Sequence, residues 1–395
     1  MALPLEGLRV IEMGQLIAGP MAGRMLAEFG ADVIKIEPPG KGDPLRKWRM
    51  LHNGTSVWWA AQSRNKRSVT VDLRQPEGQQ IAMSLLNSAD VLIENFRPGT
   101  LEKWGLSWET LHANNPRLIV LSVSGYGQTG PYRDRPGFGV IGEAMGGLRH
   151  LSGEPNRTPV RVGVSIGDSL SALHGVIGVL LALQSRETTD QGQQIDVALY
   201  ESVFNMMESL IPEYSVFDHI RQPAGSSLPG IAPTNAYRCK DGKYALVAGN
   251  GDSIFQRLMQ IIDRPDLAAD PALAHNDGRV KQVEMLDAAI GEWTSQRSLQ
   301  EVLASLNEGG IPAGKIYDAA DIANDPHYKA RDMLLPAQLS DGTPVTLPGI
   351  VPKLLSTPGS VRHAAPELGQ HTEEVLSELG IDAKQRMVLK EKGAV

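Results

Sequence analysis

Cysteine is nearly missing: Cys239 is the one thiol among 395 residues, so no internal disulfide can form and a reducing, cytoplasmic setting is expected. A cationic excess is missing as well. The 38 Lys and Arg are outnumbered by 45 Asp and Glu, the formal net charge is -7, and no basic block is present to track a phosphate backbone, which argues against nucleic-acid binding. Long apolar runs are also wanting. The longest clean one, 176–183, contains Gly178 and is too short to span a bilayer, and Glu6 and Arg9 break the stretch that a signal peptide would need. A soluble chain with no membrane partner is expected. His52, His112, His150, His219, His275, His327, His363 and His371 are scattered without ligand spacing, so no metal site is expected.

What is present is an alternation of short apolar runs and amphipathic stretches. LRVIEM, ADVIKIE, SVTVDL, DVLIEN and LIVLSVS read as strands, with helical spacing in MAGRMLAEFG, EGQQIAMSLLNSA and WETLHANN between them. That order predicts an α/β fold with a parallel sheet covered on both faces. GQQIDVALYESVFNMMESL reads as a further strand running into a helix. The texture then changes: RQPAGSSLPGIAPTN, residues 221–235, is a connector, and residues 226–328 read as a smaller α+β domain with a hairpin at Asp241-Gly242. Cys239 falls in one strand of that hairpin and is expected to be filler.

Three segments could carry chemistry. In GQLIAGPMAG the glycines miss the spacing that seats a pyrophosphate on a helix, although Glu37 stands where a dinucleotide-binding domain keeps its ribose acid. In ENFRPGTLEKWGL a strand ends in Asn95, Phe96 and Arg97, at the edge of an α/β sheet where ligands bind; Phe96 could stack on an adenine and Arg97 or Lys103 could hold phosphates, or the loop could be plain structure. In GVSIGDSLSALHGVIGVLLAL a single carboxylate, Asp168, opens a helix that reads as buried all round. Asp168 is either an N-cap or a nucleophile kept ionised by the helix N-terminus. His174, further along that helix, reads as a core histidine.

These segments, together with AGPMAGRMLAEFGADVIKIEPPGKGDPLR, NKRSVTVDLRQPEG, SGYGQTGP and LGQHTEEVLSELG, resemble the class III CoA-transferases, the family of formyl-CoA transferase and α-methylacyl-CoA racemase. The resemblance implies a Rossmann-like large domain, 1–215 completed by 329–395, a linker at 216–225 and an interlocked homodimer. It implies no permanently bound cofactor, with coenzyme A or acyl-CoA and a small carboxylic acid entering as substrates. Asp168 becomes the nucleophile that attacks an acyl-CoA thioester, passing through an aspartyl anhydride and an aspartyl-CoA thioester. Carried over position by position, Ile17 and Ala18 line the pantetheine path, and Val71, Asp72, Leu73, Arg74, Asn95, Phe96, Arg97 and Lys103 surround the nucleotide end. Arg135, Pro136, Gly137 and Phe138 cross near the thioester.

Departures from the family pattern narrow the chemistry. The racemase branch keeps a proton-shuttling His where this chain has Phe138, and phenylalanine is neither acid nor base. Formyl-CoA transferases have Gln, Arg and Glu where this chain has Ile17, Pro38 and Gly139. SGYGQTGP and RPGF are most similar to the branch that uses succinyl-CoA and small dicarboxylic acids. Arg46, Arg64, Arg135 and Arg161 are open candidates for a second carboxylate, and AGNGDS, 248–253, is a candidate flap.

Overall fold

A computed structural model describes residues 2–395. It divides into two units, one made of the chain up to Arg149 with Arg161–Phe217 and Lys329–Val395, the other of His150–Val160 and Asp218–Tyr328.

The first unit is built on six parallel strands: β1 (Arg9–Glu12), β2 (Asp32–Glu37), β3 (Lys66–Thr70), β4 (Val91–Glu94), β5 (Ile119–Ser124) and β6 (Gln194–Ala198), in the order β3-β2-β1-β4-β5-β6. The apolar runs are continuous because both faces are covered, and successive side chains part to opposite faces. Val10, Val33, Ile93 and Leu121 pack with α1 (Ala18–Glu28), while Ile11, Ile34, Leu92 and Val120 pack with α2 (Pro76–Leu86) and α3 (Trp108–Asn114). The helix Thr372–Glu378, near the C-terminus, joins the second group through Val375 and Leu376. Its start docks on edge strand β3. The His371 N–H donates to the Ser68 carbonyl at 2.9 Å, and Thr372 Oγ1 accepts the Thr70 N–H at 3.0 Å.

Beyond β5 come the short helix α4 (Gly139–Met145) and then α5 (Ile166–Thr189), which ends before β6. α5 is the crossover between two parallel neighbours, so it runs against them and starts at the carboxyl edge of the sheet. Gly175 and Gly178 let it lie close: an added Cβ would stand 2.9 Å from Leu121 Cδ2 and 2.8 Å from Ile195 Cγ2. The expectation that this helix is buried all round is corrected. Ala172, Val176, Val179 and Ala182 face the core, but Leu173, Ile177, Leu180 and Leu181 form an exposed stripe at i, i+4, i+7 and i+8. The clean run 176–183 lies inside α5, whose 24 residues include a window of mean hydropathy 1.7, so the whole helix is long and apolar enough to cross a membrane by length and composition only.

The short helix α6 (Leu199–Phe204) follows β6 directly. In the second unit an antiparallel sheet of Thr234–Arg238, Tyr244–Ala248 and Ala313–Lys315 packs with helices around Phe255, Leu258, Leu286, Trp293 and Val302, an α+β arrangement. Cys239 is buried in that core, and residues 248–253 connect the second strand to the helix Asp252–Ile261.

Candidate active site

With the strand order above, chain connections leave β1 and β4 in opposite directions, and a crevice opens between their carboxyl ends. A cleft of about 190 Å³ lies there, lined by Gln15–Ala18 after β1, Asn95–Pro98 after β4, Val123–Gly125 at the end of β5, and Arg133, Arg135–Phe138, Asp168 and Leu199.

Asp168 enters it from the first turn of α5. Ser165 is the N-cap and makes no side-chain cap bond, so Asp168 is the third helical residue; the N-cap reading is therefore excluded. Its half-buried carboxyl is pushed up to about 6, first by burial and then by the charge of Glu143, while Arg161 and its own N–H pull the other way. The helix N-terminus thus leaves Asp168 ionised at neutral pH but more basic than an ordinary aspartate. Basicity of that kind favours attack on an electrophilic carbonyl.

Glu143 carries little signal in the sequence, where only an acid inside the glycine-rich GFGVIGEAMGG marks it. It is fully buried, neither oxygen has a hydrogen-bond donor, and Arg161 Nε stands 3.4 Å from Oε2. It lies one turn beyond Gly139 on the same face of α4. That face meets the start of α5: a Cβ on Gly139 would stand 2.1 Å from Asp168 Oδ2, and one on Gly167 would stand 3.4 Å from Glu143 Cγ. Phe138 is the N-cap of α4 and is 69% exposed, so its ring is free at the cleft. Gly137 passes over Gly125, with a Cβ on either reaching 2.9 Å from the other's Cα.

The floor of the cleft is held by groups that are already occupied. Asn95 Oδ1 accepts the Gln15 N–H at 2.7 Å and its Nδ2 donates to the Gln15 carbonyl at 2.8 Å, so this amide ties two loops together. Leu16 adopts a left-handed φ of 64°, and its N–H donates to the Asp43 carboxylate at 3.1 Å. Asp43 is buried against Lys35, which also bonds Glu12 and the Gly14 carbonyl. Burial would strip the Lys35 proton, but Asp43 and Glu12 outweigh it and hold the ammonium charged. Glu37 is fully engaged by Arg46, Ser68 Oγ and the Asp43 N–H, so it has no lone pair for a ribose.

Ile17, Ala18, Asn95, Phe96, Arg97, Arg135, Gly137 and Phe138 therefore meet around Asp168. Phe96 is packed edge-on against Trp104 at 5.1 Å. Val71, Asp72, Leu73 and Arg74 follow β3 on the same edge of the sheet, three strands and roughly 14 Å from β4. Val71 and Leu73 point into the core, and Arg74 bonds Asp72 through Nε at 2.8 Å and Nη2 at 2.7 Å. Lys103 ends the helix Thr100–Lys103 and does not reach the cleft. His174 is half-buried, with Nδ1 2.9 Å from the Leu170 carbonyl oxygen. Among the described residues no three His, Cys, Asp or Glu gather as a metal site.

The sequence matches CoA-transferase family III over residues 5–372. The chain belongs to that family. It is an acyl-CoA:carboxylate CoA-transferase. It is similar to succinyl-CoA–D-citramalate CoA-transferase of Chloroflexus aurantiacus, 48% identical over 95% of this chain and 94% of the relative. It is also similar to the succinyl-CoA–L-malate CoA-transferase beta subunit of the same organism, 45% identical over 95% and 94%. A crystal structure of a CaiB/BaiF family protein from Brucella suis superposes with a TM-score of 0.85 at 35% identity, covering 96% of this chain and 100% of that one. The transferase fold is thus shared along the length of the chain.

Proposed function

We propose that this transferase moves CoA from succinyl-CoA to a small dicarboxylic or hydroxydicarboxylic acid, with Asp168 as nucleophile. A carboxylate oxygen of Asp168 attacks the thioester carbonyl; the C–S bond breaks, leaving a mixed anhydride and the CoA thiolate. The thiolate attacks the aspartyl carbonyl, releasing succinate and leaving Asp168 as a CoA thioester. The incoming acid then repeats both steps in reverse and regenerates the carboxylate. The observation that carries this reading is the half-buried Asp168 carboxyl, raised to about 6 by burial and Glu143, at the switch-point cleft. Water would hydrolyse the anhydride, and the apolar side of α5 behind the nucleophile keeps that flank dry.

Ile17 and Ala18 guide the pantetheine, Phe96 and Arg97 take the nucleotide end with Lys103, and the backbone of Val71–Arg74 extends the track along the sheet edge. Asn95 stands with Phe96 and Arg97 at the cleft and also ties the Gln15 loop to the β4 loop. The exposed stripe of α5 and the exposed Ile211, Tyr214, Val216 and Phe217 support an interlocked homodimer. The buried, unpaired Cys239 fits a cytoplasmic enzyme, and no permanently bound cofactor is needed. Phe138 in place of an acid-base residue speaks against racemisation. Gly139 leaves no room for a side chain beside Asp168, which speaks against a formyl-CoA:oxalate site of the kind that carries Glu there.

The test is single-turnover transfer from succinyl-CoA to an 18O-carboxylate acceptor. Mass analysis should find one 18O on Asp168, and Asp168→Ala should be inactive. Turnover with unlabelled Asp168 would overturn the reading.

A further inference from the structure

A dicarboxylic acyl group carries a second carboxylate that stays charged throughout transfer, so a cleft that accepts it needs a cation with free donors. The structure sorts the arginines by what they already hold. Arg46 gives Nε and Nη2 to Glu37 and Nη1 to the Pro366 carbonyl, and Arg64 gives Nε to Glu28 and Nη1 to the Pro348 carbonyl; both are buried and saturated. Arg161 serves Glu143 and Asp168, which already outnumber it. Arg133 pairs with its neighbour Asp134 at 3.3 Å. Arg97 belongs to the β4 loop, which also borders a second crevice leading away past Pro98 and Gly99.

Arg135 is placed differently. It lines the same cleft as Asp168, and among the described residues its guanidinium has no acidic partner. The guanidinium carbon lies 3.7 Å from the centroid of the Tyr132 ring. Face-on stacking uses the π surface and leaves the in-plane N–H edge free, the edge that grips a carboxylate through two parallel hydrogen bonds. The platform is itself fixed. Tyr126 meets Tyr132 edge-on at 5.9 Å, and a Cβ on Gly137 would stand 3.2 Å from the Tyr126 ring. Gly139, against the Asp168 carboxylate, follows four residues later, so the two backbone positions are at most about 14 Å apart. An arginine side chain and a four-carbon diacid together span that interval.

We propose that Arg135, parked on Tyr132, grips the distal carboxylate of the acyl group and sets the preference for dicarboxylic over monocarboxylic acids. The assignment rests on Asp168-dependent transfer as described above. Isotope exchange between an acyl-CoA and its own labelled acid tests it, since succinyl-CoA with succinate presents only diacid, and butyryl-CoA with butyrate only monoacid. Arg135→Gln in the full-length enzyme should lower kcat/KM for succinyl exchange about 30- to 100-fold. Butyryl exchange should change less than about threefold, and CoA binding by calorimetry should be unchanged. Arg135→Lys should fall between, because it restores the charge without the fork. Equal losses on both acids, or lost CoA affinity, would overturn the assignment and give Arg135 to CoA or to the fold. A wild-type enzyme that exchanges both pairs equally well would overturn Arg135 alone. One that exchanges neither would overturn the transfer reading beneath it.

Discussion

Replacing Asp168 by Asn should remove activity and make the protein more stable at neutral pH. The carboxyl stands at about 6 in the fold against an ordinary 3.8. Between those values the folded protein keeps a proton that the unfolded chain has released, so stability falls as pH rises through this window. Above about pH 7 the full penalty is present; below about pH 4 it vanishes. Two pKa units correspond to about 3 kcal/mol, and solvent access to this half-buried side chain reduces that to about 1–2 kcal/mol. Asn keeps the shape and an acceptor oxygen but carries no charge. Urea denaturation of Asp168→Asn and wild type, at one protein concentration and without CoA, should show the variant ahead by that margin at pH 7.5 and level at pH 4. A variant no more stable at pH 7.5, or a gain that persists at pH 4, would refute the claim that burial and Glu143 strain this carboxylate.

Glu143→Gln removes the charge that works with burial on Asp168, so the acid limb of the kcat/KM profile should move to lower pH and the plateau should fall roughly threefold as the nucleophile loses basicity; an unmoved limb refutes the coupling. Gly139→Ala puts a Cβ 2.1 Å from Asp168 Oδ2, and displacing the carboxylate should lower kcat about 100-fold in steady-state assays with little change in the KM for acyl-CoA. Ile177→Asp with Leu181→Asp charges the exposed stripe of α5 and should leave a monomer in sedimentation velocity; an unchanged dimer places the interface elsewhere.

Much of the first unit is legible in the chain. DVLIEN and LIVLSVS are strands because their apolar residues run without interruption, which only a sheet covered on both faces rewards. The Pro, Gly and Ser of 221–235 read as a connector, but that segment lies within the second unit, which begins at Asp218. The start of the second unit and its share of residues 150–160 are set by contacts rather than composition, and no local pattern announces them. Asp168 stands out through the family pattern around it. Glu143 does not, since an acid in a short helix looks the same whether solvated or sealed near a second carboxylate. Glu37 misleads for the related reason that its partners Arg46 and Ser68 come from different segments.

Periodicity and residue chemistry therefore settled the class of fold and the lack of disulfides, because each depends on neighbours along the chain, and the family pattern singled out Asp168 as the residue to test. Tertiary structure alone decided how basic Asp168 is, which arginines are spent on buried partners, and which side of α5 stays uncovered. Those properties arise from electrostatics and packing over a few ångströms, and folding brings to that range residues that lie tens to hundreds of positions apart.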